Sequence, residues 1–306
     1  MGHNRLAEAL RSVVRSAFGG CEVLWRRRLS AVRFALVHKK AREDDVRINS
    51  VWVGGTKTRE IGLLDGRTAD LVDENGPVTT ETGAPVSRVA IVRIEDGTVH
   101  RTWNTMGMRG TASHDAEFID LFVPASHTYV RTEPPVHENP LYNPQTAILC
   151  SWTLAAANAL GMARGAMDAF MQLATAGSTT SPKLLRDRTT VQTTVGECEA
   201  IIGAGRSYVL SAVGAMWESQ VAKAPDLMDK AVHARLSIAH AIRQSVNVVD
   251  MLFYAAGTGA IHRSNGLERF FRDLHVSGQH ISGLHSNYEL GGQLLLGAEP
   301  TAPTYS

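Results

Sequence analysis

The sequence predicts an α+β protein in which a small antiparallel β domain precedes a C-terminal four-helix bundle. Three observations carry this expectation. β-rich runs bounded by turn signals cluster between residues 59 and 130. A stretch at 131–145 with Pro134, Pro135, Pro140 and Pro144 then reads as a linker. From 146 to 306, apolar residues recur at the three- and four-residue steps of amphipathic helices.

Residues 1–58 are the least regular and are read as a divergent basic N-terminal segment. Their opening forty residues hold nine basic side chains, among them Arg26-Arg27-Arg28 and Lys39-Lys40, against Glu8 and Glu22. Leu6 to Phe18 fits a short amphipathic helix, and the arginine run has the look of a targeting or nucleic-acid patch. A solvated extension accounts for the same residues, and a transit peptide would be richer in serine.

Within 59–130, Val89-Ala-Ile-Val-Arg-Ile94 is a short β-rich run flanked by turn signals at Asn75-Gly76 and Asp96-Gly97. Glu117-Phe-Ile-Asp-Leu-Phe-Val123 alternates in part and stops at Pro124. Between them, Trp103-Asn-Thr-Met-Gly-Met-Arg-Gly-Thr-Ala-Ser113 carries Gly107 and Gly110, which permit a sharp turn, and Arg109 and Thr111, which supply donors.

The bundle is read as four long helices. The first covers Thr153 to Leu173. Val191, Val195, Cys198, Ile202, Val209, Val213 and Trp217 stripe the second, with one longer gap after Ile202. Val232, Leu236, Ala239, Ile242, Val246, Val249 and Phe253 stripe the third, and Leu267 to Leu284 forms the fourth. Short joints at Gly177-Ser178 and Ala224-Pro225 favour antiparallel neighbours.

Bulk properties narrow the function. A net charge of +1 gives no electrostatic reason to expect a nucleic-acid partner. Cys21, Cys150 and Cys198 are odd in number and far apart, which suits a reducing compartment rather than a disulfide framework. The longest small-apolar stretch, Ala155 to Phe170, is interrupted by Asn158, Arg164 and Asp168, so it is not a membrane span. A soluble, cytoplasmic protein is expected.

Two tempting constellations fail on geometry. Ser113-His114-Asp115 are adjacent, and neighbours in extended chain point to opposite faces, whereas a triad must converge from separated positions. His275, His280 and His285 are five apart, which turns each about 140° from the last on a helix. His233 and His240 share a face but lack a third ligand, so no metal is expected.

Leu267-Glu-Arg-Phe-Phe-Arg-Asp-Leu-His-Val-Ser-Gly-Gln-His280 follows the small-residue turn Ala255-Ala-Gly-Thr-Gly-Ala260. The string resembles the last helices of the acyl-CoA dehydrogenase superfamily. Trp103 to Ser113, followed by Phe118 and Phe122-Val-Pro124, resembles the segment that crosses that superfamily's β domain. The closest resemblance is to the branch of two-component flavin-dependent monooxygenases, as their oxygenase component. It covers about Val89 to Gly297 and leaves no counterpart of the superfamily's N-terminal helical domain, nor its aromatic-Ser-Gly segment. That implies a divergent or truncated N-terminus.

The resemblance also implies site residues. Superfamily dehydrogenases carry a catalytic glutamate about nine residues after the Arg-Asp step. Here that count from Arg272 reaches Ile281, and no Glu lies between Glu268 and Glu289. Glu289, in Tyr288-Glu-Leu-Gly-Gly292, comes too late and reads as a helix end with a glycine cap. The monooxygenase branch has a histidine near this place, beside the flavin C4a–N5 edge, and His280 matches it. There an imidazole could hydrogen-bond oxygenated flavin or accept a phenolic proton. Gly257, Thr258 and Gly259, Arg272 with Asp273, and Arg188 (or Arg186) ahead of Gln192 are the implied cofactor contacts.

The implied function is hydroxylation of an aromatic or heteroaromatic substrate with O2 and reduced flavin, FAD or FMN, supplied by a separate flavin reductase. A homo-oligomer, dimer or tetramer, is also implied. The alternatives are an acyl-CoA dehydrogenase-like enzyme and an inactive truncated member serving as a scaffold or subunit.

Overall fold

The computed structural model describes residues 46–57, 69–70, 72–73, 76–77, 87–129, 137–143, 146–176 and 184–298. The basic run before residue 46, Cys21, Asn75, Pro134, Pro135, Pro144 and the Gly177-Ser178 joint lie outside them. The architecture is α+β, with antiparallel strands first and a helical bundle after them.

The longest strands are Val46–Lys57 (β1) and Ser113–Val123 (β7). They pair antiparallel from Val46↔Val123 to Lys57↔Ser113, and the register shifts between Val53 and Thr56, where Gly54-Gly55 sits. Thr98–His100 (β6) pairs with the other edge of β7. Shorter strands Ala69–Asp70 (β2), Val72–Asp73 (β3), Gly76–Pro77 (β4), Ser87–Ala90 (β5) and Thr128–Tyr129 (β8) make two small antiparallel pairings, β2-β5-β8 and β3-β4. β7 ends where Pro124 removes a backbone donor. On its inner face Ala116 and Phe118, two apart, are buried, and Gly97 lies directly over the Phe118 ring. Pairing starts at residue 46, ahead of the boundary read at 58. In the sequence, Asn49-Ser50 and Gly54-Gly55 interrupt the β-branched residues there.

The bundle contains Ala147–Thr175 (α1), Thr189–Val221 (α2), Leu227–Ala256 (α3), Leu267–Ser277 (α4) and Ser286–Leu295 (α5). Among the described residues no helix is long and apolar enough to cross a membrane. The inner face of α1 is small: Ala156, Ala159, Ala163 and Ala166 are fully buried ahead of Phe170. The gap in the α2 stripe is Gly205, buried against Leu160 and Ala241, where neighbouring helices approach closely.

α3 is the central helix, in contact with α1, α2, α4 and α5. Its predicted stripe is only one flank, because Ala234, Ile238, Ala241, Ser245, Val248 and Leu252 are buried as well. The fourth helix is shorter than the sequence suggests. It stops at Ser277, and the chain turns at Gly278 and passes through a 3-10 turn at Ile281–Gly283 before α5. Tyr288 to Gly292 lies inside α5 rather than at a capped end. The cap comes later, at Leu296-Gly297: Gly297 has φ 69°, and its N–H and that of Ala298 bond back to Leu294 and Gln293.

Candidate functional site

The middle of α4 is fastened to the turn between β6 and β7. Within that turn the Met108 carbonyl accepts from Trp103 Nε1 (3.0 Å) and Thr111 Oγ1 (2.9 Å). Met108 (φ 49°) and Ala112 (φ 46°) hold left-handed backbone, so the positive angles fall beside the glycines rather than on them. Gly107 is needed for another reason. A Cβ there would lie 2.2 Å from the Arg272 carbonyl oxygen.

The Arg-Asp step faces this turn. The Met108 N–H donates to Asp273 Oδ1 at 2.6 Å, and Arg272 donates to the Met106 carbonyl at 2.6 Å. Glu268 orients Arg272 through bonds of 2.7 and 3.2 Å, and Arg269 sits 3.5 Å from Asp273. The hydrogen bond from Arg272 holds the Glu268 carboxyl below the usual carboxylate range. Arg272 and Asp273 therefore join the β layer to α4.

The same groups edge a cleft of about 430 Å³ lined by Met108 to Thr111, Arg263, Arg269, Arg272 and Asp273. Four guanidinium groups against Asp273 in the lining and Glu268 behind Arg272 leave it a net positive charge, and Arg109, Arg263 and Arg269 are open to solvent. This is an anion-attracting surface. In the sequence Arg109 is marked only as a donor, and nothing marks Arg263 or Arg269 as site residues. Their one visible signal was arginine placed before and within α4.

Past the end of α4 lies His280, in the loop to α5 and not on a helix. Its Nδ1 accepts from the Ser282 backbone N–H at 3.3 Å and lies 2.7 Å from Ser282 Oγ. A backbone amide can only donate, so Nδ1 is unprotonated and the neutral ring carries its proton on Nε2. Ser282 is fully buried, while His280 as a whole reaches solvent. Partial burial lowers its pKa from the ordinary imidazole value. The loop lies close on α3: a Cβ on Gly283 would come within 2.8 Å of Ile242 Cγ2.

The remaining sequence candidates lie elsewhere. Gly257 (φ 57°) ends α3, and Gly257–Ile261 forms a 3-10 turn in which Gly259 packs on Leu173 and Thr258 is exposed. Arg188 is exposed at the N-cap of α2. None of these lines the cleft. Ser113-His114-Asp115 opens β7, where the His114 Nδ1 accepts from the Trp103 N–H. His275 pairs with Asp250 at 2.8 Å, His240 lies against Tyr208 and His285 against Tyr288.

Residues 153–283 match the family described as "Acyl-CoA dehydrogenase, C-terminal domain". Indole-3-acetate monooxygenase of Pseudomonas putida is 28% identical over 214 residues, covering 70% of this chain and 55% of that protein. The oxygenase subunit HsaA of a flavin-dependent monooxygenase from Rhodococcus jostii is 27% identical over 219 residues, 68% of this chain and 56% of that protein. Among solved structures, XiaF from Streptomyces sp. in complex with FADH2 and glycerol superposes with a TM-score of 0.66 at 24% identity, covering 82% of this chain and 68% of that one. The chain spans somewhat over half the length of these curated relatives.

Proposed function

We propose that this chain, an acyl-CoA dehydrogenase-type C-terminal domain behind a β layer, acts as the oxygenase component of a two-component flavin-dependent monooxygenase. It would hydroxylate an aromatic or heteroaromatic substrate with reduced flavin and O2. The relatives named for indole-3-acetate make an indole ring the first substrate to try. One observation supports the reading: His280, whose imidazole reaches solvent, lies one residue before the position that the dehydrogenase count reaches, and no carboxylate lies between Glu268 and Glu289 at that place.

The residues present fit a flavin. The arginine cleft suits a phosphate, with Arg109, Arg263 and Arg272 as the groups that would hold it. Bound reduced flavin, FAD or FMN, would supply the electrons that activate O2. His280 contributes at Nε2. With Nδ1 engaged by Ser282, the ring presents an N–H donor, which suits stabilising negative charge on oxygen better than removing a phenolic proton. Asp273 and Arg272 hold α4, and hence the His280 loop, in register with the β layer. We further propose a flavin reductase as partner, a homo-oligomeric assembly and a cytoplasmic location.

The test is hydroxylation of indole-3-acetate coupled to a flavin reductase, NADH and O2, with wild type and His280→Ala compared. Removing the donor should lower product formation by roughly 10²- to 10⁴-fold while reduced-flavin binding persists. In the wild type, protonation at Nδ1 would set its N–H against the Ser282 N–H and turn the ring from its place, so kcat/KM should fall on the acid side with an apparent pKa below 6.5, the ordinary imidazole value, because burial favours the neutral ring. Undiminished hydroxylation by His280→Ala would remove the residue from the mechanism. A folded wild-type chain that binds no flavin would end the enzymatic reading.

A further inference from the structure

We propose that Asn287 and Arg235 act as positioning residues, a buried relay that fixes the His280 loop to the bundle and so sets the direction of the imidazole. The proposal rests on the role given to His280 above. Asn287, in α5, is 3% exposed. Its Nδ2 donates to the Ile281 carbonyl at 2.8 Å and to the Leu284 carbonyl at 3.1 Å, spanning the 3-10 turn that follows His280. Its Oδ1 accepts from Arg235 Nη1 at 3.0 Å. Arg235, in α3, is itself 8% exposed, and its guanidinium lies 5.0 Å from the centre of the Trp152 ring on α1.

The chemistry of this position calls for an amide. One side presents a cation and the other presents two backbone carbonyls, so the bridging group needs an acceptor and two donors together. A carboxylate would satisfy Arg235 but turn an anion towards Ile281 O and Leu284 O. An aliphatic side chain would leave the buried Arg235 guanidinium and the two loop carbonyls without this partner. The connection runs from α1 through α3 and α5 to the loop, where Ser282 engages His280 Nδ1.

Asn287→Asp separates the relay from simple support of the bundle. Arg235 gains a charged partner, so the denaturation midpoint should hold, while the loop loses both donors. Backbone amide exchange across residues 278–288 should accelerate. The His280 titration, followed by NMR of labelled histidine, should move up towards the ordinary imidazole value as burial is relieved. The kcat should fall roughly 10- to 100-fold with reduced-flavin affinity unchanged, the size expected of a misplaced catalytic group. Arg235→Lys, which keeps the cation near Trp152 without the guanidinium fork, should give smaller changes in the same direction, and it serves as the test if the first variant does not fold. Unchanged exchange and an unchanged His280 titration would overturn the relay whatever kcat does. A loosened loop with full kcat would uphold the relay as a loop anchor and overturn the role given to His280.

Discussion

Midway along α4, Arg272 and Asp273 reach across to a β turn while Arg269, paired with Asp273, stays in water; past the helix end, the His280 loop is held by a neutral amide and by glycine pressed onto α3. Arg269 in the first region is 77% exposed, whereas Asn287 in the second is 3% exposed. The difference teaches that the density of charge at a contact is a poor guide to its strength. Ion pairs in water are screened and restrain long side chains for little gain. Buried polar side chains such as Asn287 and Arg235, and close backbone approaches, have no solvent to fall back on.

Three substitutions would break or sharpen this contrast. Gly283→Val should have the largest effect, because its side chain must enter the space of Ile242 Cγ2 (2.8 Å) and the Gly278 carbonyl (3.0 Å). A loss of about 3 kcal/mol in the urea-unfolding free energy is expected, near the upper end of overpacking costs. Gly107→Ala introduces a shorter contact, 2.2 Å to Arg272 O, but the turn can lift away from α4. Its cost should stop at the worth of the contact it breaks, roughly 1–2 kcal/mol. Faster amide exchange at Met106 to Ala112 would show the lifting. Arg269→Ala should change stability by under about 0.5 kcal/mol. A larger loss there would contradict the ranking of the two regions.

Acid tests the charged region separately. The Glu268 carboxyl titrates below its ordinary value in the fold, so its contribution is present above that ordinary value and fades as pH falls through the depressed one. The His280 loop responds at higher pH. Its imidazole is depressed by burial, so protonation begins to destabilise the fold as pH falls below about 6.5.

The fold class was legible because it depends on local pattern; the Arg-Asp step was visible as a motif, but its bonds to Met106 and Met108 were not. Helical periodicity marks α1 to α3, and Pro124 marks the end of β7. Position within the bundle was much less so. Among the inner positions of α3, Ala234, Ala241 and Ser245 are too small or polar to register as an apolar stripe, yet they let a helix sit among four neighbours. The longer gap in α2 is Gly205, an absence of side chain that is itself the contact. The break after Ser277 was hidden because Val276, Ile281 and Leu284 keep near-helical spacing, while Gly278 and Gly283 are needed against α3. Asn287 carries no signal in one sequence, since its partners are backbone carbonyls and an arginine fifty-two residues away.

Cys198 has a consequence for how the bundle breathes. The thiol is wholly buried between α2 and α3, with Sγ 3.9 Å from the Val248 carbonyl, and burial pushes its pKa up to about 11. In that state it is almost entirely protonated and shielded from alkylating reagents at neutral pH. Its modification rate should therefore report transient parting of the α2–α3 seam, a built-in clock for opening fluctuations. Reduced flavin that binds and tightens the bundle should slow that clock, and the slowing could be read without following any product.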